Sequence, residues 1–225
     1  MRQTDSRKKA FQIMALVTAC CAVMAFTETV VEPAYAVKSG IKAVVFLMVP
    51  LIGARALGFR LFGSAFRLDG KGAARLLVLG LFIYGVIFGG YVLTKNLFDY
   101  AALAASLSAD QRVDAGSFIW VAFYISFCNS FLEEFLFRHV SFIELSRYTS
   151  RKTAYLFSSV LFAVYHIAMI GTSFPPLLLL LALTGLTAGG LIFDCVDRRD
   201  ESIFPSWTVH MFADFAIMTI WYLHL

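Results

Sequence analysis

Charge is what this 225-residue chain has least of. Asp, Glu, Lys and Arg make up 15% of it, against about 25% in a typical soluble domain. Hydrophobic residues make up 60% and mean hydropathy is +0.76. So little charge excludes an ordinary soluble domain and leaves an integral, polytopic membrane protein. Cysteine is also scarce: of four, Cys20, Cys21 and Cys128 lie within apolar runs and Cys195 at the end of one. No spacing resembles a zinc ribbon or a secreted disulfide framework, so they read as small apolar fillers. There is no internal repeat and no low-complexity tract, and no stretch is left over for a soluble domain. The net charge of +4 does not imply nucleic acid, because the basic residues follow a membrane topology.

What is present is a series of apolar runs, each near the roughly 20 residues that cross a bilayer as helix. Seven spans are predicted, at 10–31, 40–58, 73–94, 116–137, 153–171, 176–193 and 203–224, the fourth continuing as helix toward Ser146. The first run follows a basic segment, Met1 to Lys9, and is too long for the core of a cleaved signal peptide, so it reads as a retained anchor. The fold class is all-α, a single membrane-embedded bundle over 1–225. Three N-terminal spans occupy 10–94 and four more occupy 116–225.

Lys and Arg give the orientation. With the N-terminus cytoplasmic, fifteen basic residues fall on the inner side and only Lys38, Lys42, Lys95 and Arg112 on the outer side, the bias of the positive-inside rule. Pro50 predicts a kink in the second span, whereas Pro176 and Pro205 fit first helical turns. Gly85/Gly89 and Gly185/Gly189 have the spacing of close helix contacts. Phe59, Phe62 and Phe66, with Arg60 and Arg67, suggest a short interfacial helix.

Against this apolar background three polar pieces stand out: Glu133-Glu134-Phe-Leu-Phe-Arg138, Phe162-Ala-Val-Tyr-His166 and His210-Met-Phe-Ala-Asp214. Ionisable groups at membrane depth are costly and mark functional sites. Glu134 and Arg138 are neighbours at i,i+4, while Glu133 points about 100° away. One carboxylate is therefore expected to be paired and the other left for chemistry. His210 and Asp214 share a helix face, as an orienting pair or as metal ligands. Phe162 shares a face with His166 and reads as packing. Counted from the predicted inner boundaries, Glu133 and His210 meet just below the cytoplasmic surface, with His166 deeper. His139 and His224 carry no role, and Glu28 and Glu144 read as interfacial. Together the carboxylates and imidazoles can take a proton from water and stabilise an oxyanion, which is the chemistry of peptide hydrolysis.

In that order and on separate helices, Glu133-Glu134-xxx-Arg138, Phe162-xxx-His166 and His210-xxx-Asp214 resemble the motifs of one family. It is the CAAX protease and bacteriocin-processing (CPBP, Abi) family of glutamic-type intramembrane endopeptidases. The resemblance covers about 116 to 225. It implies that Glu133 and His166 activate water, that His210 and Asp214 form the oxyanion or positioning side, and that Glu134, Arg138 and Phe162 support the site. It also implies a cavity open to the cytoplasm and the bilayer. Many members have Asn where this chain has Asp214, and an ionised Asp cannot donate to an oxyanion. No cofactor is expected, although Glu133, His166, His210 and Asp214 are a chemically reasonable zinc set. The expected partners are a protein or peptide substrate in or at the membrane, and the bilayer itself. A bacterial cytoplasmic membrane fits, as does an endoplasmic reticulum membrane. Two other functions use the same residue types: a non-catalytic scaffold or immunity protein of this fold, and a proton-coupled transporter. Transporters usually carry paired repeats.

Overall fold

The computed structural model describes residues 3–59, 61, 72–111, 113–114 and 116–224. Among them there are helices and no strands. Six helices are long and apolar enough to cross a membrane: α1 (Thr4–Val31), α2 (Tyr35–Leu57), α3 (Ala73–Thr94), α5 (Phe118–Arg147), α6 (Arg151–Ile170) and α7 (Pro176–Asp197). Between α3 and α5 lies the shorter α4 (Tyr100–Gln111), which the sequence reading leaves as loop. The seventh predicted span is present as α8 (Phe204–Tyr222), a 19-residue helix. Ser206, His210 and Asp214 dilute its apolar character. The proposed interfacial helix around Phe62 and Phe66 lies outside the described residues.

Helices alternate between two poles. One pole holds the start of α1, the end of α2, the start of α3, the α5–α6 turn and the α7–α8 turn. There, Lys9 lies over the Tyr148 ring and Arg147 pairs with Glu201 at 2.7 Å. At the other pole Glu28 pairs with Lys38 at 2.7 Å, Ser106 donates to Ser173 at 3.1 Å, and Phe118 packs edge-on to Trp221. The turn into α5 at this second pole is tied by Asp114. Its exposed carboxylate accepts the Ser117 hydroxyl and N–H, which hold its pKa below the ordinary value.

Burial, not hydrophobicity, distinguishes the inner faces, because lipid tails are as apolar as a leucine side chain. In α1, Ile13, Val17, Cys20 and Met24 recur at spacings of four, three and four, and all are buried, while Phe11, Val23 and Phe26 face outward. α5 is the central helix, with residues 132–145 buried on all sides. α3 is its opposite: only Gly80 is buried. A Cβ at Gly80 would stand 2.3 Å from the Phe212 ring, so glycine is what lets α3 lie against α8.

The close glycine contacts differ from those expected. A Cβ at Gly85, Gly89, Gly185 or Gly189 meets nothing within 4 Å. At Gly190 it would lie 2.9 Å from Ser159 and 3.4 Å from Arg138 Nη2. In α7 the four-residue glycine spacing marks lipid-facing positions, one step around the helix from the contact that exists.

Several helices contain π-helical turns, in α1 (Thr27–Val31), α2 (Val44–Met48) and twice in α5 (Tyr124–Asn129 and Phe135–Glu144). The α2 turn immediately precedes Pro50, whose ring would collide with the carbonyl four residues back in a regular helix. In α5 the turns flank Glu133 and Glu134, and both contain a carbonyl engaged from a neighbouring helix. The Trp207 indole N–H donates to Phe127 O at 3.0 Å, and the Ser158 hydroxyl to Phe137 O at 2.9 Å. Such turns recur at functional sites.

Candidate functional site

The structure brings Glu133, Glu134, Arg138, Phe162, His166, His210 and Asp214 into one centre between α5, α6 and α8. Glu133 Oε2 lies 3.8 Å from His166 Nε2 and also 3.8 Å from His210 Nε2. Each imidazole is aimed by its other nitrogen. His166 Nδ1 is 2.7 Å from the Phe162 carbonyl, one turn back, and must donate to it. His210 Nδ1 is 2.7 Å from Glu134 Oε1. Asp214 Oδ1 is 3.7 Å from His210 Nε2, and its Oδ2 is buried with no hydrogen-bond partner. The tautomer of His210 is thus held by Glu134 across the bundle, not by Asp214 on its own helix as the i,i+4 spacing suggests.

Glu133 is not the free carboxylate the sequence reading expects. Its Oε1 accepts from Lys42 Nζ at 2.5 Å and from Asn129 Nδ2 at 3.1 Å, and Lys42 also donates to Asn129 Oδ1 at 2.5 Å. Lys42, expected among the outer-side basic residues, is buried on α2 with its ammonium 5.2 Å from the ring centres of both Phe46 and Tyr165. One oxygen of Glu133 is therefore tied by a cation, while the other faces two imidazoles. No three His, Cys, Asp or Glu side chains gather as a metal-holding group among the described residues.

Behind the imidazoles lies a second polar layer. Arg138 is fully buried. Its Nε is 3.3 Å from Glu134 and 3.7 Å from Asp194, and its guanidinium lies over the rings of Phe162 and Phe193 at 4.3 and 4.9 Å. Ser158 holds Asp194 at 2.9 Å. Asp197 accepts the Ser206 N–H at 2.9 Å, satisfying one of the otherwise orphaned donors in the first turn of α8 and so fixing the helix that carries His210. Phe193 stacks on His210 at 5.2 Å. Phe162 meets both His166 and His210 edge-on and lies between the arginine and the imidazoles.

Lys42, Asn129, Asp194, Asp197 and Phe193 do not stand out in the sequence. Lys42 sits at the edge of an apolar run, as an interfacial lysine would. Asp194 and Asp197 adjoin Arg198 and Arg199, so they look like a solvated helix end. Phe193 is one of 23 phenylalanines. Of the residues read as interfacial, Glu28 is paired with Lys38, and Glu144 is buried beneath Arg147 at 3.4 Å. His139 is buried, stacked on Phe135 and bonded to the Leu61 carbonyl, while His224 pairs with Tyr91 at 3.0 Å.

Glu133, His166, His210 and Asp214 line a cavity of about 190 Å³. Its other walls come from the end of α1, the start of α2, α4, the first part of α5 and the last turns of α6 and α8. These all belong to the pole opposite the N-terminus of α1. The depth expected from the sequence has a different reference in the structure. That depth is counted from a fourth span ending at 137, whereas α5 runs to Arg147. Fourteen residues follow Glu133 in that helix, about 20 Å at α-helical rise. On that side the centre is closed by Phe137, Arg138 and Phe162, each buried.

Fold and site together define a polytopic helical membrane protein with a buried carboxylate–imidazole centre. Residues 115–216 match the family model described as Rce1-like, type II CAAX prenyl endopeptidase Rce1-like, and this stretch contains all three motifs. Over these residues the chain is similar to the CAAX protease family. No curated protein and no solved structure gives a significant match.

Proposed function

We propose that this protein is an intramembrane endopeptidase that hydrolyses a peptide bond of a membrane-associated or lipid-modified protein or peptide, using water activated by Glu133 and His166. The observation that carries the reading is the setting of Glu133 Oε2, 3.8 Å from two imidazole nitrogens while Oε1 is held by Lys42. Atoms so spaced can share one water molecule. Because His166 Nδ1–H is committed to Phe162 O, its Nε2 presents a lone pair and can accept a proton. Water gives up a proton to Glu133 or His166, and its oxygen adds to the substrate carbonyl carbon. The oxyanion that forms is stabilised by His210, which donates through Nε2 when protonated at both nitrogens. The proton then passes to the leaving nitrogen as the C–N bond breaks, giving a carboxylate and an amine. Glu134, Arg138 and Asp194 hold His210 in place throughout. Asp214, with its unpartnered oxygen on the cavity wall, takes a positioning role toward water or a substrate N–H.

The test is a map of protein termini in cells carrying wild-type protein or Glu133→Gln at equal abundance. General-base loss costs about 10²–10⁴-fold in rate, so a few termini should vanish with the variant. Identical maps, with the wild-type phenotype retained, would replace the enzyme with a non-catalytic scaffold of the same fold.

A further inference from the structure

Among the described residues the cavity extends from the centre toward one pole, and the chain's charge says which side of the membrane that pole faces. Toward that pole the cavity is lined by Leu107, Met169, Ile170 and Ile217, with Met218 and Trp221 buried among them and the Glu28–Lys38 ion pair beside them. Every one of these lies on a helix end, or on α4, at the pole opposite the N-terminus of α1. The basic residues are concentrated at the other pole. Leaving out Arg138, Lys38 and Lys42, which the bundle buries, ten of the described Lys and Arg lie toward the pole of the α1 N-terminus and one, Lys95, toward the pole of the mouth. Membrane proteins retain the Lys- and Arg-rich ends of their spans on the cytoplasmic side.

We infer that the site opens to the non-cytoplasmic face of the membrane, and that its substrate is a polypeptide reaching it from that side. Such a chain is an exported or membrane-anchored precursor whose scissile segment lies beyond the bilayer or at its outer edge. A lipid-modified tail presented from the cytosol would meet the closed pole, where Phe137, Arg138 and Phe162 separate the centre from the basic loops. The apolar mouth suits a segment with uncharged side chains next to the scissile bond. The buried Lys42 and the two imidazoles lie at its floor. This inference rests on the peptidase reading of the centre for its substrate, but its statement about the membrane face can be measured independently.

The experiment uses the full chain with its four cysteines replaced by alanine and one cysteine added at a time. Thr172→Cys and Leu107→Cys mark the mouth pole, and Arg199→Cys marks the other. Thr172 and Arg199 are both exposed, in turns. Sealed right-side-out vesicles are treated with a membrane-impermeant maleimide before and after lysis. The expected result is that Thr172→Cys is labelled before lysis and Arg199→Cys only after it. Leu107→Cys should follow Thr172→Cys, and either mouth variant suffices if the other is not inserted. Early labelling of Arg199→Cys alone, or of both poles equally, overturns the inference while leaving the peptidase reading intact. The expected labelling, combined with a Glu133→Gln variant that changes no termini, would retain the outward mouth and remove the peptidase.

Discussion

Lys42 and Glu133 form the pair on which the centre depends. Both are buried, and a buried ion stripped of its partner costs about 3–5 kcal/mol, more than the intact pair contributes over an apolar replacement. Lys42→Met should therefore lower stability by that order, and Glu133→Gln alone should also destabilise. The double variant should recover most of the loss, because neither charge is then left alone. Thermal unfolding of the four proteins in one detergent closes the cycle, and simple additivity would show that the two side chains do not interact. The glutamates, Arg138 and the motif side chains on the other helices are legible in the sequence because each polar residue stands among apolar neighbours. Lys42 is not, because a lysine near the end of an apolar run has two homes. It can extend to the headgroups or fold inward, and only the position of Glu133 decides between them.

At the scale of helices, the order of six spans is legible, since length and apolar content suffice for that. Which face of each helix turns inward is not. A sequence that is apolar all round has no period to read, and the π turns of α5 shift the angular position of every later residue in that helix. The glycines show the consequence. Gly190→Ala would push a methyl against Ser159 and Arg138, and overpacking of this kind costs about 1–3 kcal/mol. Because Arg138 braces Glu134 and through it His210, cleavage should fall along with stability. Gly185→Ala, on the same helix with open space around it, should leave both unchanged. Paired measurements of unfolding temperature and product formation test this, and equal behaviour of the two variants would contradict the assigned face of α7. Depth is hard to read for a reason at the same scale. A helix longer than the bilayer has ends that do not mark its boundaries, so residues counted inward from the end of an apolar run lose their reference.

Taken whole, the molecule joins a family-matched stretch, 115–216, to N-terminal helices that the match does not reach. The centre crosses that division, because the cation beside Glu133 comes from α2. The two partners are 91 residues apart in the chain. At about 5–20 residues per second of synthesis, that separation is roughly 5–18 s. During this interval α2 is already made and its counter-charge does not yet exist. Lys42, seven residues from the start of α2, can wait with its ammonium drawn out to the headgroups and turn inward once α5 arrives. The ion pair is then also a record of the order of manufacture, with the cost of burying Lys42 deferred until the helix that carries its glutamate is delivered. A cysteine at position 42 should react with a water-soluble thiol reagent in chains halted before Phe118 and become protected in the finished protein. Protection in both would mean that the lysine is buried before its glutamate has been synthesised.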